Sequence, residues 1–171
     1  MNFLEKDLEN IIWESDNEKL QERNLPIMGK KFRQFKIGSY GILDLMTVRR
    51  KYYYDYDLET YLPYLDITIY ELKKEKVGIS AFLQAIRYCK GIKTYFESKK
   101  PEIEFALNVV LVGKQVDTNS DFIFLLDLID FQESGNANGL IKRLKAYSFD
   151  YHIDGIKFKC HEGYDLIEKG F

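Results

Sequence analysis

Cysteine, histidine and proline are all scarce in this chain of 171 residues. The two cysteines, Cys89 and Cys160, form no Cys-x-x-Cys spacing, which excludes a zinc ribbon and a disulfide framework. A reducing cytoplasm is the expected compartment. The two histidines, His152 and His161, match no metal-ligand spacing. No run of 18 apolar residues occurs, so no membrane span is expected. The opening residues include Glu5, Asp7 and Glu9, where a signal peptide would be basic and then apolar. Neither charge sign dominates: the net charge is −2, which excludes coating of nucleic acid by bulk charge and leaves only local patches.

What is present suits a folded core. Apolar residues make up 46% and aromatics 15% of the chain, which argues against disorder. The length fits one domain over 1–171, with a core at about 1–112 and an extension of strand, helix and hairpin over 113–171. Phe3, Leu4, Leu8, Ile11 and Ile12 form one stripe at helical spacing, predicting a helix over 3–15. Residues 16–29 read as irregular, with Pro26 barring any helix there. Strands are expected over 31–37 and 41–54, joined by the turn Gly38–Gly41. The tyrosine-rich stretch from Asp55 to Leu65 reads as a loop or short helix before a third strand at 66–73. Ile79, Phe82, Leu83, Ile86, Cys89 and Ile92 line one face of a long helix over 77–96, capped near Gly78 or Ser80 and followed by Pro101.

The apolar runs 104–112 and 121–129 read as buried strands. Residues 132–139 read as a loop and 140–147 as a short basic helix. Asp154-Gly155 signals a type I′ hairpin turn between two last strands. Strand, long helix and strand in succession imply a crossover and a parallel pair. The expected fold is therefore α/β, a mixed central sheet flanked by helices.

The stretch Asp66-Ile-Thr-Ile-Tyr-Glu71-Leu-Lys73 carries the chemistry. Strand alternation puts Glu71 and Lys73 on one face and Leu72 on the other. Gly41-Ile-Leu-Asp44 supplies a second carboxylate on an apolar strand, and Gln84-Ala-Ile-Arg87-Tyr88 lies on the long helix. Taken singly, each is explained by a strand running into solvent or by packing of Tyr88. Taken together, Asp44 and Glu71 are hard oxygen donors suited to magnesium, with the Leu72 carbonyl as a third. Lys73 is placed to orient or deprotonate a water, or to stabilise charge at phosphorus.

This series resembles the active-site pattern of the PD-(D/E)XK nuclease superfamily, and Gln84-x-x-x-Tyr88 resembles its RecB-like branch. Glu5-Lys-Asp-Leu-Glu9, Gly41 to Met46, Ile69 to Lys74 and the Gln84 helix look like the nuclease domain of NucS/EndoMS-type endonucleases over roughly 1–112. The resemblance implies a restriction-endonuclease-like core. It further implies a magnesium site (manganese as substitute) on Asp44, Glu71 and Leu72, and catalysis by Asp44, Glu71 and Lys73. It gives support roles to Gln84, Tyr88 and an N-terminal helix glutamate, Glu5 before Glu9. Leu43 stands where many members have proline, and no separate N-terminal DNA-binding domain is present, so the nuclease site is carried over but mismatch repair is not. DNA is the implied substrate, with Lys31, Arg33, Lys36, Lys74, Lys76 and Arg87 as phosphate contacts. A protein partner or a homodimer is compatible, and so is a nuclease-like module that binds without cutting.

Overall fold

The computed structural model describes residues 5–119, 121–126 and 140–161. Helices α1 (Glu5–Glu14) and α2 (Asn17–Glu22) precede strands β1 (Lys30–Lys36), β2 (Ile42–Asp55), β3 (Thr60–Leu72) and the short β4 (Lys76–Val77). Helix α3 (Ile79–Lys99) then leads to β5 (Phe105–Gly113), β6 (Gln115–Val116), β7 (Arg143–His152) and β8 (Gly155–His161). Six strands form one mixed sheet in the order β1-β2-β3-β5-β7-β8, and β4 pairs with β6. The β3–β5 and β5–β7 pairs are parallel and the others in the large sheet antiparallel. The architecture is thus the expected α/β one, with α3 on one face and α1 and α2 on the other. Among the described residues no helix is long and apolar enough to cross a membrane.

Strand alternation sorts the core into two layers. Ile67 and Ile69 face α3 and pack with Ala85, Tyr88, Cys89 and Ile92. Tyr70 and Leu72 face the other way and pack with Leu8, Ile12 and Leu20. Lys31 fixes α1 from its C-terminal end: its Nζ donates to the carbonyls of Ile12, Trp13 and Ser15 at 3.1, 3.0 and 2.6 Å. These are carbonyls that a helix end leaves without partners.

Several expectations need correction. Residues 17–22 are helical, not irregular, because Leu20 has a core site to fill; Pro26 lies beyond that helix. The tyrosine-rich stretch is strand from Thr60 onward, so β2 and β3 form one long hairpin closed at residues 56–59. Tyrosine favours strands, and Pro63 is tolerated where no strand lies outside it. Leu83 does not join the buried face of α3; it is exposed, and Ala81, Ala85 and Tyr88 are buried in that layer. Gly78 is the N-cap, with no side-chain cap bond.

Residues 122–126 are helical rather than strand, with Phe122 and Leu126 filling the α3 layer. The rest of the 121–129 run and the 132–139 stretch lie outside the described residues, as do Phe3 and Leu4. The expected basic helix at 140–147 is instead the start of β7. Leu144 and Ala146 face one layer, Tyr147 and Phe149 the other, so the period is two and both faces are buried. The last hairpin exists, but its loop is Ile153-Asp154, and Gly155 alone has positive φ (+110°). That excludes type I′, which needs φ above zero at both loop positions.

Two glycines let α3 close on the turn before β2. A Cβ on Gly91 would lie 2.6 Å from Ile37 and 2.8 Å from the Tyr40 ring, and one on Gly41 would lie 3.1 Å from Tyr88. Gly91→Ala should therefore lower stability by about 1–2 kcal/mol, although alanine is the better helix former by about 1 kcal/mol. Urea unfolding checks this; a rise in the midpoint would show that the turn gives way freely.

Candidate metal and phosphodiester site

Glu71 follows Ile67 and Ile69 on the same strand face, so the fold places a carboxylate where the next core residue would stand. It is 0% exposed. One of its oxygens, Oε1, accepts from Lys73 Nζ at 2.6 Å, and the other, Oε2, is buried with no hydrogen-bond partner. Asp44 enters from the neighbouring strand. The antiparallel register runs to Leu45 opposite Tyr70, and Asp44 is the next residue. Its Oδ2 accepts from the Leu72 N–H at 3.1 Å.

The Lys73 N–H donates to Val112 O at 2.8 Å, toward β5. Hydrogen-bonding directions alternate along a strand, so the N–H and C=O of Leu72 point the other way, toward Asp44. The structure therefore gathers Asp44, Glu71, Lys73 and the Leu72 carbonyl at one end of the sheet.

Electrostatics follow from this crowding. Burial pushes the Glu71 carboxyl up to about 7; the Lys73 hydrogen bond opposes the rise and the charges of Asp44 and Glu5 add to it. Burial also pushes Asp44 up to about 6, against the Leu72 N–H bond and helped by Glu5 and Glu9. Lys73 is affected in the opposite sense: burial pulls it down, but Glu71, Glu5 and Asp44 outweigh that and hold it above its ordinary value. Lys73 is thus an ammonium at neutral pH.

The supporting residues divide. Gln84 Oε1 accepts from Lys73 Nζ at 3.4 Å, and Gln84 Nε2 donates to Tyr88 Oη at 3.0 Å. The Tyr88 hydroxyl donates to Ile42 O at 2.9 Å, so the relay ends two residues before Asp44. Glu5 bears electrostatically on Asp44, Glu71 and Lys73. Glu9 is committed elsewhere: it accepts from Arg33 Nε and, at 2.8 Å, from Gln34 Nε2. Gln34 was not foreseen. It holds φ +49°, rare for a non-glycine residue, and its neighbours Arg33 and Phe35 pair with Leu45 and Leu43 on either side of Asp44.

Among the proposed phosphate contacts, Lys31 and Arg33 have their donors on α1, with Arg33 also on Asn10 Oδ1 at 2.5 Å. Lys76 pairs with Asp117 at 3.2 Å, and Lys74 lies 4.0 Å from Glu75. Lys36 is exposed, and Arg87 is exposed with its guanidinium over the Tyr88 ring.

Among the described residues no group of three or more His, Cys, Asp or Glu side chains is placed to hold a metal. Any cation here would rest on two carboxylates and a carbonyl, which suits magnesium, an ion that keeps several waters. The partnerless Glu71 oxygen, aligned with a hard-oxygen donor set, fits that ion. The chain matches no protein-family model, no curated protein and no solved structure.

The two raised carboxyls set a pH dependence. A raised folded-state pKa means that the native protein binds more protons than the unfolded chain between the two values. Stability from these groups therefore falls as pH rises from about 4 through about 7. Asp44→Asn keeps the acceptor for Leu72 and removes one charge. It should raise stability at pH 8 by about 1 kcal/mol after solvent screening and flatten that decline. Thermal melts from pH 5 to pH 8 check it; an unchanged slope would show that the two carboxylates do not repel.

Proposed function

We propose that this protein is a magnesium-dependent nuclease that hydrolyses DNA phosphodiester bonds, built on a restriction-endonuclease-like core. The observation that carries the reading is the Glu71 carboxylate: fully buried, one oxygen on Lys73, the other without a partner, beside the Asp44 carboxylate. A half-satisfied buried anion costs several kcal/mol, and a structural role gives no reason to retain it. The α/β order and the Gln84–Tyr88 relay agree with the resemblance seen in the sequence.

In this reading Asp44, Glu71 and the Leu72 carbonyl hold the ion. Bound magnesium lowers the pKa of a coordinated water and neutralises charge at phosphorus. Lys73, kept protonated by its neighbours, orients the attacking water and stabilises the negative charge that develops. Gln84 fixes the Lys73 ammonium, and Tyr88 fixes Gln84. Lys36 and Arg87, both exposed, are candidate contacts for DNA phosphates. The alternative is a nuclease-fold module that binds a nucleic acid or protein without cutting. The commitment of Lys31 and Arg33 to α1 favours it, since two of the six expected phosphate contacts are then taken.

Lys73→Ala should abolish cleavage while metal binding persists, because an ammonium is no ligand for a cation. Asp44→Ala and Glu71→Ala should lose cleavage and weaken metal binding by about a hundredfold or more, since each removes a direct ligand and even outer-shell partners are worth roughly tenfold to a hundredfold. Calorimetric titration with magnesium or manganese, alongside a nicking assay on single-stranded, duplex and branched DNA, separates these cases. Wild-type protein that neither binds metal nor cuts would transfer the reading to the non-catalytic module.

A further inference from the structure

The β2–β3 hairpin outruns the sheet. β1 accompanies β2 only as far as Val48, and β5 accompanies β3 only from Leu65, so residues 49–55 and 60–64 form a two-stranded arm. Its two edges are not equivalent. Leu65 N donates to Glu104 O at 2.9 Å and Lys73 N to Val112 O at 2.8 Å, so odd-numbered positions of β3 bond outward, away from β2. On that edge of the arm stands Pro63, which has no N–H to offer and blocks strand addition. The even positions of β3 bond to β2, where Tyr64, Leu62 and Thr60 meet Lys51, Tyr53 and Asp55. Arg50, Tyr52 and Tyr54 therefore turn their N–H and C=O groups outward on the other edge.

The middle of that edge lacks the charges that the sheet's outer strands carry. β1 carries Lys30 and Lys36 and the kink at Gln34, and β8 carries Lys157 and Lys159. The middle of the arm's edge is instead Tyr52-Tyr53-Tyr54, with Tyr52 59% exposed. The segment is also self-complementary. Arg49, Arg50 and Lys51 stand at one end, where Asp66 takes up one charge between Arg49 and Lys51 and leaves that end net positive, and Asp55 stands at the other, with Asp57 and Glu59 in the turn beyond.

We infer that a second copy of this chain adds its own residues 49–55 antiparallel to this edge, with a two-fold axis at Tyr52. This register pairs outward-facing positions with each other, Tyr52 with Tyr52 and Arg50 with Tyr54. It sets the net-positive end of one copy opposite the acidic end of the other and overlaps the whole segment. The acids at the tip count against nucleic acid as the occupant, because they would face phosphates. The inference does not depend on the proposed nuclease activity.

Sedimentation velocity of the full chain across a dilution series tests it. Wild type should be a dimer. Tyr52→Lys and Tyr52→Glu should each weaken it by roughly tenfold or more, since like charges then meet at the axis and an aromatic pair is lost. Mixed in equal amounts, the two variants should form a heterodimer, and thermal melts should show both folded like wild type. A monomeric wild type, single variants that stay dimeric, or a mixture that fails to associate would each overturn the inference. A monomer whose single-stranded DNA affinity drops in Tyr52→Ala would assign the edge to bases instead.

Discussion

Everything near the centre of this fold adjusts to one buried charge. Glu71 is carried into the core by strand alternation, on the row set by Ile67 and Ile69, and its surface is fully buried. Among the described residues its one hydrogen bond comes from Lys73, two residues on along the chain. That bond helps hold the lysine above its ordinary pKa, while burial pushes the carboxyl up to about 7 against it. Asp44, one strand away, shares the problem and has only the Leu72 N–H and the Lys73 charge to relieve it. Two acids this poorly compensated would be relieved by a nearby cation.

The geometry is held from both sides of the sheet. On one side α3 approaches closely because Gly91 and Gly41 leave room, and that approach lets Tyr88 reach Ile42 and Gln84 reach Lys73. On the other side β1 grips α1 twice, through Lys31 at the helix C-terminus and Arg33 on Glu9. The second grip keeps the first turn of α1, with Glu5, close enough to be felt by Asp44 and Glu71. The strained backbone of Gln34, tied to Glu9, lies where β1 passes Asp44.

What could be read from the sequence follows the strength of local periodicity. The α3 stripe and the alternation around Glu71 have clear periods, and with them came the meeting of Asp44, Glu71 and Lys73. The β7 segment misled because Leu-Ile-Lys-Arg-Leu fits a helical period over one turn; only burial on both faces decides for strand. Residues 122–126 misled in the reverse sense, since a short apolar run carries no period of its own. The arm was hidden because tyrosine mixed with acid reads as a loop until the register of β2 against β3 is known. The roles of Lys31 and Arg33 were also out of reach: a lysine that caps a helix 16 residues earlier leaves no local trace.

The contrast between carboxylates on neighbouring elements separates structural acids from the others. Asp66, on the same strand as Glu71, receives Lys51 at 2.7 Å, Arg49 at 3.2 Å and Asn108 at 2.7 Å. Burial works against its charge, yet these partners more than offset it, and its pKa falls below the ordinary carboxylate value. Glu9 likewise has a guanidinium and an amide. Both acids are finished structures: two anchor points, one at the root of the arm and one under α1, each with donors enough. Glu71 is the most deeply buried of these acids, with one donor and an oxygen that has no hydrogen-bond partner. A fold able to satisfy Asp66 and Glu9 so fully has the means to satisfy Glu71, and the missing donor is the place that the proposed cation would fill.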